Sequence, residues 1–195
     1  MSSLKTESRA PSFTDVQVRR VIEAARAYDD QNKYYDDIFN ATGRRLRQGF
    51  ATKEDIAVIS FWKAINLSTP WVNRFLKTDP ERVVEVTRSA FSEVVDGDEA
   101  RLRALEPLPG FAHWHGPSGG AIPSTLLCCW NPDEYAVVDR RSRNGLRVLG
   151  GDAAGVLRYW SDVRYLRDLA RKTDPETTAR DIDKGLFMIG GRRAG

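Results

Sequence analysis

The sequence contains few cysteines and few histidines, the residues that build most metal centres. Its cysteines are the adjacent pair Cys128 and Cys129, and its two histidines are His113 and His115. Neighbouring residues of a helix point in different directions, so the cysteine pair predicts no ordinary disulfide and favours a reducing, cytoplasmic location. Four thiolates are needed for an all-cysteine iron–sulfur cluster, and a structural zinc site needs several ligands at close spacing. We therefore expect no iron–sulfur cluster, no metal and no other cofactor.

Long apolar runs are also missing from the sequence. The first twelve residues have no apolar core, and no apolar segment approaches the roughly 20 residues that span a bilayer. We expect neither a signal peptide nor a membrane partner. A chain of 195 residues with 29% charged residues is typical of a single globular domain. We expect a monomer with this domain at residues 13–190, a disordered N-terminus at 1–12 and a flexible basic tail at 191–195.

Positive charge is concentrated in the C-terminal third of the chain. Residues 140–195 hold 13 lysines and arginines against 7 acids, whereas residues 1–139 hold 17 against 20. A basic segment suits a polyanion such as DNA, because neutralised phosphates release their counterions. Solvated helix faces with ordinary surface arginines are the alternative interpretation.

Apolar residues recur at helical spacing, which predicts a compact all-α fold of about nine helices. Helix starts are indicated by a capping box at 52–55 and by Asp-Pro pairs at 79–80 and 174–175. A Pro- and Gly-rich loop at 107–120 contains both histidines, and residues 131–138 are predicted to form an extended connector that opens with an Asn-Pro turn. The predicted helices cover residues 14–30, 34–47, 53–66, 80–95, 98–106, 121–130, 140–149, 153–171 and 175–188.

Residues 105–145 combine, in order, a helix, a glycine hairpin, an apolar helix, an extended connector and an aspartate at a helix start. This order resembles the core of the helix-hairpin-helix (HhH-GPD type) DNA glycosylases. The Leu-Pro-Gly start of that core corresponds to residues 108–110, its hairpin to Gly119 and Gly120, and its Val-Asp pair to residues 138–139.

The resemblance extends to the segment ISFWK at 59–63, the helix that begins at Pro80 and residues 181–189, which are similar to small bacterial members of the superfamily. It implies a glycosylase-like helical domain that binds double-stranded DNA and flips out a modified or mismatched base. Such an enzyme acts in base-excision repair, or in antiviral defence where the base is a bulky hypermodified base of viral DNA. No cofactor is implied.

Asp139 is the catalytic residue that the resemblance implies. Glycosidic cleavage builds positive charge on the sugar, and a carboxylate beside C1′ can stabilise that charge and orient or deprotonate the attacking water. Relatives that also cut the strand use a lysine at the position of Ala121, so the resemblance implies a monofunctional enzyme without lyase activity, unless Lys63 or another lysine reaches the site from elsewhere in the fold. An ordinary N-cap is the alternative role for Asp139, and a non-catalytic helix-hairpin-helix DNA-binding module is the alternative for the protein.

The predicted phosphate contacts lie in the hairpin and directly after Asp139. Glycines let the backbone approach a phosphate oxygen, and N–H groups at the start of the next helix point at the anion. Arginines that crowd one short helix favour further phosphate contacts. A plain helix–helix turn and ordinary surface arginines are the alternatives. The residues concerned are Ser118, Gly119, Gly120, Arg140, Arg141 and Arg143.

A second group of side chains is predicted to form the base pocket or to fill the gap that a flipped base leaves in the duplex. Trp114 is the candidate wedge, because bulky side chains commonly occupy that gap, and a buried anchor for the loop is the alternative. The full group is His113, Trp114, His115 and Lys63. Other aromatic pairs, Tyr34-Tyr35 and Tyr159-Trp160, are interpreted as packing residues.

Overall fold

The computed structural model describes residues 12–61, 70–109, 111 and 120–191, except for the side chains of residues 61, 70 and 71. Within these ranges the regular structure is entirely α-helical and contains no β-strand, which confirms the predicted all-α fold. The helices are α1 (Asp15–Gln48), α2 (Lys53–Phe61), α3 (Pro70–Leu76), α4 (Pro80–Ala90), α5 (Asp98–Ala104), α6 (Ala121–Trp130), α7 (Arg140–Val148), α8 (Val156–Ala170) and α9 (Ala179–Gly191).

The first two predicted helices form one long helix with a kink. Thr14 caps α1 through a capping box with Gln17, and Gly49 ends the helix with a left-handed backbone of φ 93°. Asn32 has non-helical dihedral angles, and its Nδ2 donates to the carbonyl oxygen of Tyr28 at 3.0 Å. A side chain that competes with the helical hydrogen-bond ladder is a common cause of kinks. The break predicted between residues 30 and 34 is therefore a bend.

Two of the three predicted helix starts are confirmed. Thr52 Oγ1 accepts from the backbone N–H of Asp55 at 3.3 Å, and Asp55 Oδ2 accepts from the N–H of Thr52 at 2.9 Å. Asp79 caps α4, with Pro80 as its first residue. The helix α3 was not predicted from the sequence, and helix assignments at 62–66 lie outside the described residues.

The predicted start of the last helix is wrong. Residues 174–177 form a turn in which the N–H of Thr177 donates to the carbonyl oxygen of Asp174 at 3.1 Å. The helix begins at Ala179, after a second capping box in which Thr178 and Asp181 exchange hydrogen bonds. The segments that begin at Asp174 and at Thr178 both carry residues typical of a helix N-terminus. The helix forms at the later one.

The helices share one apolar core, with α9 packed against both α1 and α7. The buried side chains of this core come from the whole described length of the chain, from Val18 to Ile189, and include Trp160. Cys128 and Cys129 are buried in α6 as free thiols. In the described part of the chain, no helix combines the length and apolar character needed to cross a membrane.

A network of ion pairs links both sides of the α1 kink to α9. Asp36 pairs with Arg180 and with Lys184, whose Nζ lies 2.8 Å from Asp36 Oδ2 and 2.9 Å from Asp29 Oδ1. The side chains of Arg180 and Lys184 are buried. Burial raises the pKa of the Asp36 carboxyl, but the neighbouring cations outweigh this effect and hold the pKa below its usual value. The network fixes the bend of α1 against α9.

Glycines allow α9 to touch its two neighbouring helices through the backbone. A Cβ atom at Gly145 of α7 would lie 2.0 Å from the carbonyl oxygen of Leu186, and one at Gly185 would lie 2.3 Å from that of Val21. Real Cβ atoms do not approach backbone oxygens so closely. The contact at Gly145 therefore sets how closely α7, which begins directly after Asp139, packs on α9, and the contact at Gly185 does the same for α1.

Replacing Gly145 with alanine is expected to lower the free energy of unfolding by about 1–3 kcal/mol, since the backbone of Leu186 must move to accept the methyl group. Urea unfolding followed by circular dichroism measures the change. Gly155→Ala is the control, because a Cβ at Gly155 would meet nothing within 4 Å and the backbone φ is −143°. The control should lose less than about 1 kcal/mol. Equal losses in the two variants would contradict the backbone contact.

Candidate active site

The connector that leads to Asp139 is held at several points along its length. It opens with the predicted turn, in which the N–H of Tyr135 donates to the carbonyl oxygen of Asn131 at 3.1 Å. The N–H groups of Ala179 and Arg180, at the start of α9, donate to carbonyl oxygens of this turn. Further along, Trp160 Nε1 donates to the carbonyl oxygen of Ala136 at 2.8 Å. The backbone that carries Asp139 is thus fixed by α8 and α9.

A hydrogen bond joins the end of this connector to the first turn of α6. Ser124 Oγ accepts from the N–H of Val138 at 2.8 Å and lies 2.9 Å from the carbonyl oxygen of Ala121, to which it donates. Gly120 is the N-cap of α6, and its left-handed φ of 91° is a conformation that favours glycine. The structure therefore brings the first turn of the helix after the predicted hairpin next to Val138, the residue before Asp139.

Asp139 is the N-cap of α7. Its Oδ1 accepts from the backbone N–H of Ser142 at 2.8 Å, and its Oδ2 accepts from Ser142 Oγ at 3.2 Å. The residue is half-buried, at the border between core and surface. Each carboxylate oxygen has more than one lone-pair direction, so a capping carboxylate retains the capacity to accept from a further donor. Capping and catalysis are compatible roles for this side chain.

The three predicted phosphate-binding arginines have different environments. Arg140 and Arg141 are exposed, and the guanidinium carbon of Arg141 lies 4.1 Å from the ring centre of Phe187. Arg143 is buried, and its Nη1 donates to the carbonyl oxygen of Ala153 at 3.1 Å. Burial and the nearby charge of Arg147 lower the pKa of Arg143. Of the three arginines, Arg140 and Arg141 present their charge at the surface.

A buried polar pair between α8 and α9 was missed from the sequence. Tyr159 Oη donates to Asp183 Oδ1 at 3.0 Å, and both residues are fully buried. Burial, together with the negative charges of Asp183 and Asp139, raises the pKa of Tyr159 well above its ordinary value. Tyr159 is a core residue as predicted, but nothing in the sequence indicates that Asp183 lies next to it.

Comparison with known proteins identifies no family for this chain. No family model, no curated protein and no solved structure matches it. The function is therefore inferred from the residues and their geometry.

The remaining predicted site residues lie outside the part of the chain that the structure describes. Their roles in the hairpin, base pocket and wedge stay predictions. They are Lys63, His113, Trp114, His115, Ser118 and Gly119.

A cleft between α1 and the start of α9 lies apart from the predicted site. It has a volume of about 210 Å³, and its charged lining consists of one arginine and four acids. Negative lining of this kind repels a phosphate backbone. Within the described ranges, no three histidine, cysteine or acidic side chains lie close enough together to hold a metal ion. The lining acids are Asp29, Asp174, Glu176 and Asp181.

Proposed function

We propose that the protein is a monofunctional DNA glycosylase, which flips a modified or mismatched base out of the duplex and hydrolyses its N-glycosidic bond. The observation that carries the proposal is the 2.8 Å hydrogen bond between the N–H of Val138 and Ser124 Oγ. Through this bond, a helix start suited to a phosphate adjoins a carboxylate suited to sugar chemistry. The same juxtaposition is implied by the resemblance to helix-hairpin-helix glycosylases.

In this proposal, the DNA backbone is bound by main-chain groups and by exposed arginines. The start of α6 at Gly120 supplies N–H groups and the positive end of the helix dipole, together with the hairpin glycine Gly119 and Ser118. Arg140 and Arg141 add exposed positive charge from the first turn of α7. These contacts carry no base preference and set the register of the duplex on the protein.

The proposed reaction uses Asp139 as a carboxylate beside C1′ of the flipped nucleotide. The glycosidic bond breaks and its electron pair leaves on the base nitrogen, which takes a proton from solvent. Positive charge on the sugar is stabilised by Asp139. A water oxygen then bonds to C1′, its proton passes to Asp139, and the carboxyl returns that proton to solvent. The products are a free base and an abasic site in an intact strand.

The alternative is a non-catalytic DNA-binding module, and the two hydrogen bonds between Asp139 and Ser142 favour it. These contacts give the carboxylate a complete structural role as the cap of α7. In that case the exposed arginines would hold DNA without chemistry. Binding would weaken steeply with salt, as expected for phosphate contacts, but no base would be released.

The two functions are separated by incubating the wild-type protein with duplexes that carry natural, mismatched, damaged or bulky hypermodified bases. Half of each reaction is treated with hot alkali, which breaks the strand at abasic sites. We expect breaks on one class of substrate, and only after alkali, since Ala121 occupies the position of the lyase lysine. Breaks without alkali would contradict the monofunctional assignment. Salt-sensitive binding without breaks on any substrate would favour the binding module.

A further inference from the structure

The cleft between α1 and the start of α9 is lined by both polar and apolar side chains. The turn at residues 174–177 contributes two acids and a threonine to the lining. The apolar part consists of Ile22 and Ala25 from α1 and Ile182 from α9. At about 30 Å³ for each water molecule, a volume of about 210 Å³ corresponds to about seven waters. The cleft therefore has the size and the mixed lining of a site for a small amphipathic molecule.

Thr177 is a buried residue of this lining with an unused hydroxyl group. The residue is 5% exposed. Its N–H donates to the carbonyl oxygen of Asp174 at 3.1 Å, and its carbonyl oxygen accepts from Arg171 Nε at 2.8 Å. Among the described residues, none forms a hydrogen bond with Thr177 Oγ1, and this atom keeps accessible surface on the cleft. Because buried hydroxyl groups normally have a partner, this one marks a position for a polar group of a ligand.

The acids of the same turn add negative charge beside this hydroxyl. Glu176 is exposed and forms no ion pair within the described ranges. Asp174 Oδ2 lies 3.8 Å from Arg26 Nη2, which is beyond hydrogen-bond length, and both side chains are exposed. An exposed pair of this kind is weak, so the Asp174 carboxylate is available to a second cation.

The other two acids of the lining already have close partners. Asp29 Oδ1 lies 2.9 Å from Lys184 Nζ, and Asp181 Oδ1 lies 3.2 Å from the same nitrogen. Asp181 Oδ2 also accepts from the N–H of Thr178 at 2.9 Å. The available negative charge of the cleft is therefore concentrated on the turn at 174–177.

The turn is held firmly in position by contacts outside the cleft. Arg171 donates to the carbonyl oxygen of Thr177 and also pairs with Asp133, in the turn that opens the connector. The N–H of Ala179, just after the turn at 174–177, donates to the carbonyl oxygen of Asp133 at 3.1 Å. A site whose polar groups are already fixed pays little to order them when a ligand binds.

We propose that this cleft is a binding site for a small aliphatic amine. The ammonium group lies at the turn, where it donates to Thr177 Oγ1 and faces the carboxylates of Asp174 and Glu176. Its alkyl chain lies against the apolar side chains of α1 and α9 and loses contact with water. An anion is disfavoured, because acids outnumber the single arginine of the lining. Within the described part of the chain no cluster of acids is close enough to hold a metal ion, which favours an organic cation.

Titration of the ¹⁵N-labelled full chain with n-butylamine, followed by ¹H–¹⁵N NMR, tests the site. This amine is protonated at neutral pH, since alkylammonium groups titrate at about 10.4, as lysine does. We expect saturable shifts of the amide signals of residues 174–182 and of Ala25. n-Butanol lacks the charge and ammonium chloride lacks the chain. Each should bind at least about 10-fold more weakly, because each loses one of the two kinds of contact.

Two variants test the turn itself. Glu176→Gln removes a charge from an exposed residue, and Thr177→Val replaces the hydroxyl with a methyl group of similar size. Each should weaken n-butylamine binding about 3- to 10-fold, as expected for one polar contact. Glu93→Gln makes the same change at an exposed glutamate outside the cleft and should leave the affinity unchanged. The spectra of the ligand-free proteins show that each variant is folded.

Saturable binding of n-butylamine that both cleft variants weaken, and that both analogues fail to match, supports the proposal. Equal affinity for n-butanol would reveal an apolar cavity without selection for charge, and equal affinity for ammonium would reveal an unselective acidic surface. Either result overturns the proposal. So does unchanged binding in both cleft variants, or the absence of saturable shifts up to about 20 mM amine. Because no DNA is present, the outcome does not depend on base excision.

Discussion

Asp139→Asn is expected to lower the single-turnover rate of base excision by about 10²- to 10⁴-fold, the range for a lost catalytic carboxylate. Asparagine caps helices as well as aspartate does, so α7 should keep its hydrogen bond from the N–H of Ser142. The substitution removes the negative charge that stabilises the sugar and the group that accepts the proton of water. The rate is measured with enzyme in excess over the duplex that the wild type cleaves.

The matched control is Asp79→Asn, the same change at the exposed N-cap of α4. It should retain the wild-type excision rate and the wild-type stability within about 0.5 kcal/mol. Salt-dependent DNA binding should persist in both variants, because the phosphate contacts assigned to Arg140 and Arg141 are unchanged. Excision by Asp139→Asn at the rate of the control would show that Asp139 serves only as a cap.

Asp36→Asn is expected to lower the free energy of unfolding by about 3–5 kcal/mol, because it leaves buried cations without their shared carboxylate. Arg180 and Lys184 both pair with Asp36, and both side chains are buried. Urea unfolding at pH 7 measures the loss. Asp37→Asn is the control, since Asp37 is the adjacent residue and is exposed; it should change stability by less than about 0.5 kcal/mol.

The effect of Asp36→Asn should depend on pH in a defined direction. The pKa of Asp36 is lowered in the folded protein, so its stabilising contribution is complete above the ordinary value of 3.8 and is lost as the pH falls through the lower folded value. The difference in stability between wild type and variant should therefore be constant near neutrality and shrink below about pH 4. A difference that grows on acidification would contradict the ion network.

The helix starts show which parts of the fold can be predicted from residues close together in the sequence. The capping box of Thr52 and Asp55 and the cap of Asp79 form as predicted, because each involves only residues two or three apart. The sequence predicts too early a start for the last helix, because Asp174 and Thr178 both carry capping signals and local pattern does not rank them. The N–H groups of Ala179 and Arg180 donate to carbonyl oxygens of the turn after Asn131, more than 40 residues away. That long-range contact is absent from any local pattern.

The residues of the candidate site likewise fall into those that local sequence signals predict and those whose environment only the structure shows. The sequence indicates Asp139 at a helix start and Gly120 before α6, and both are found there. It assigns the same role to three arginines of α7, whereas the structure exposes Arg140 and Arg141 and buries Arg143. Helical periodicity could not separate them, since the burial of Arg143 depends on a carbonyl oxygen of the loop after α7.

By itself, the sequence determined the all-helical class, most helix starts and the position of Asp139 directly before the first turn of α7. These features follow from short-range hydrogen bonds and from the 3.6-residue period of burial. Only the tertiary structure placed Tyr159 of α8 against Asp183 of α9 and joined Asp36 to α9. Such contacts depend on which helix faces meet, and glycine contacts between backbones far apart in the chain decide that.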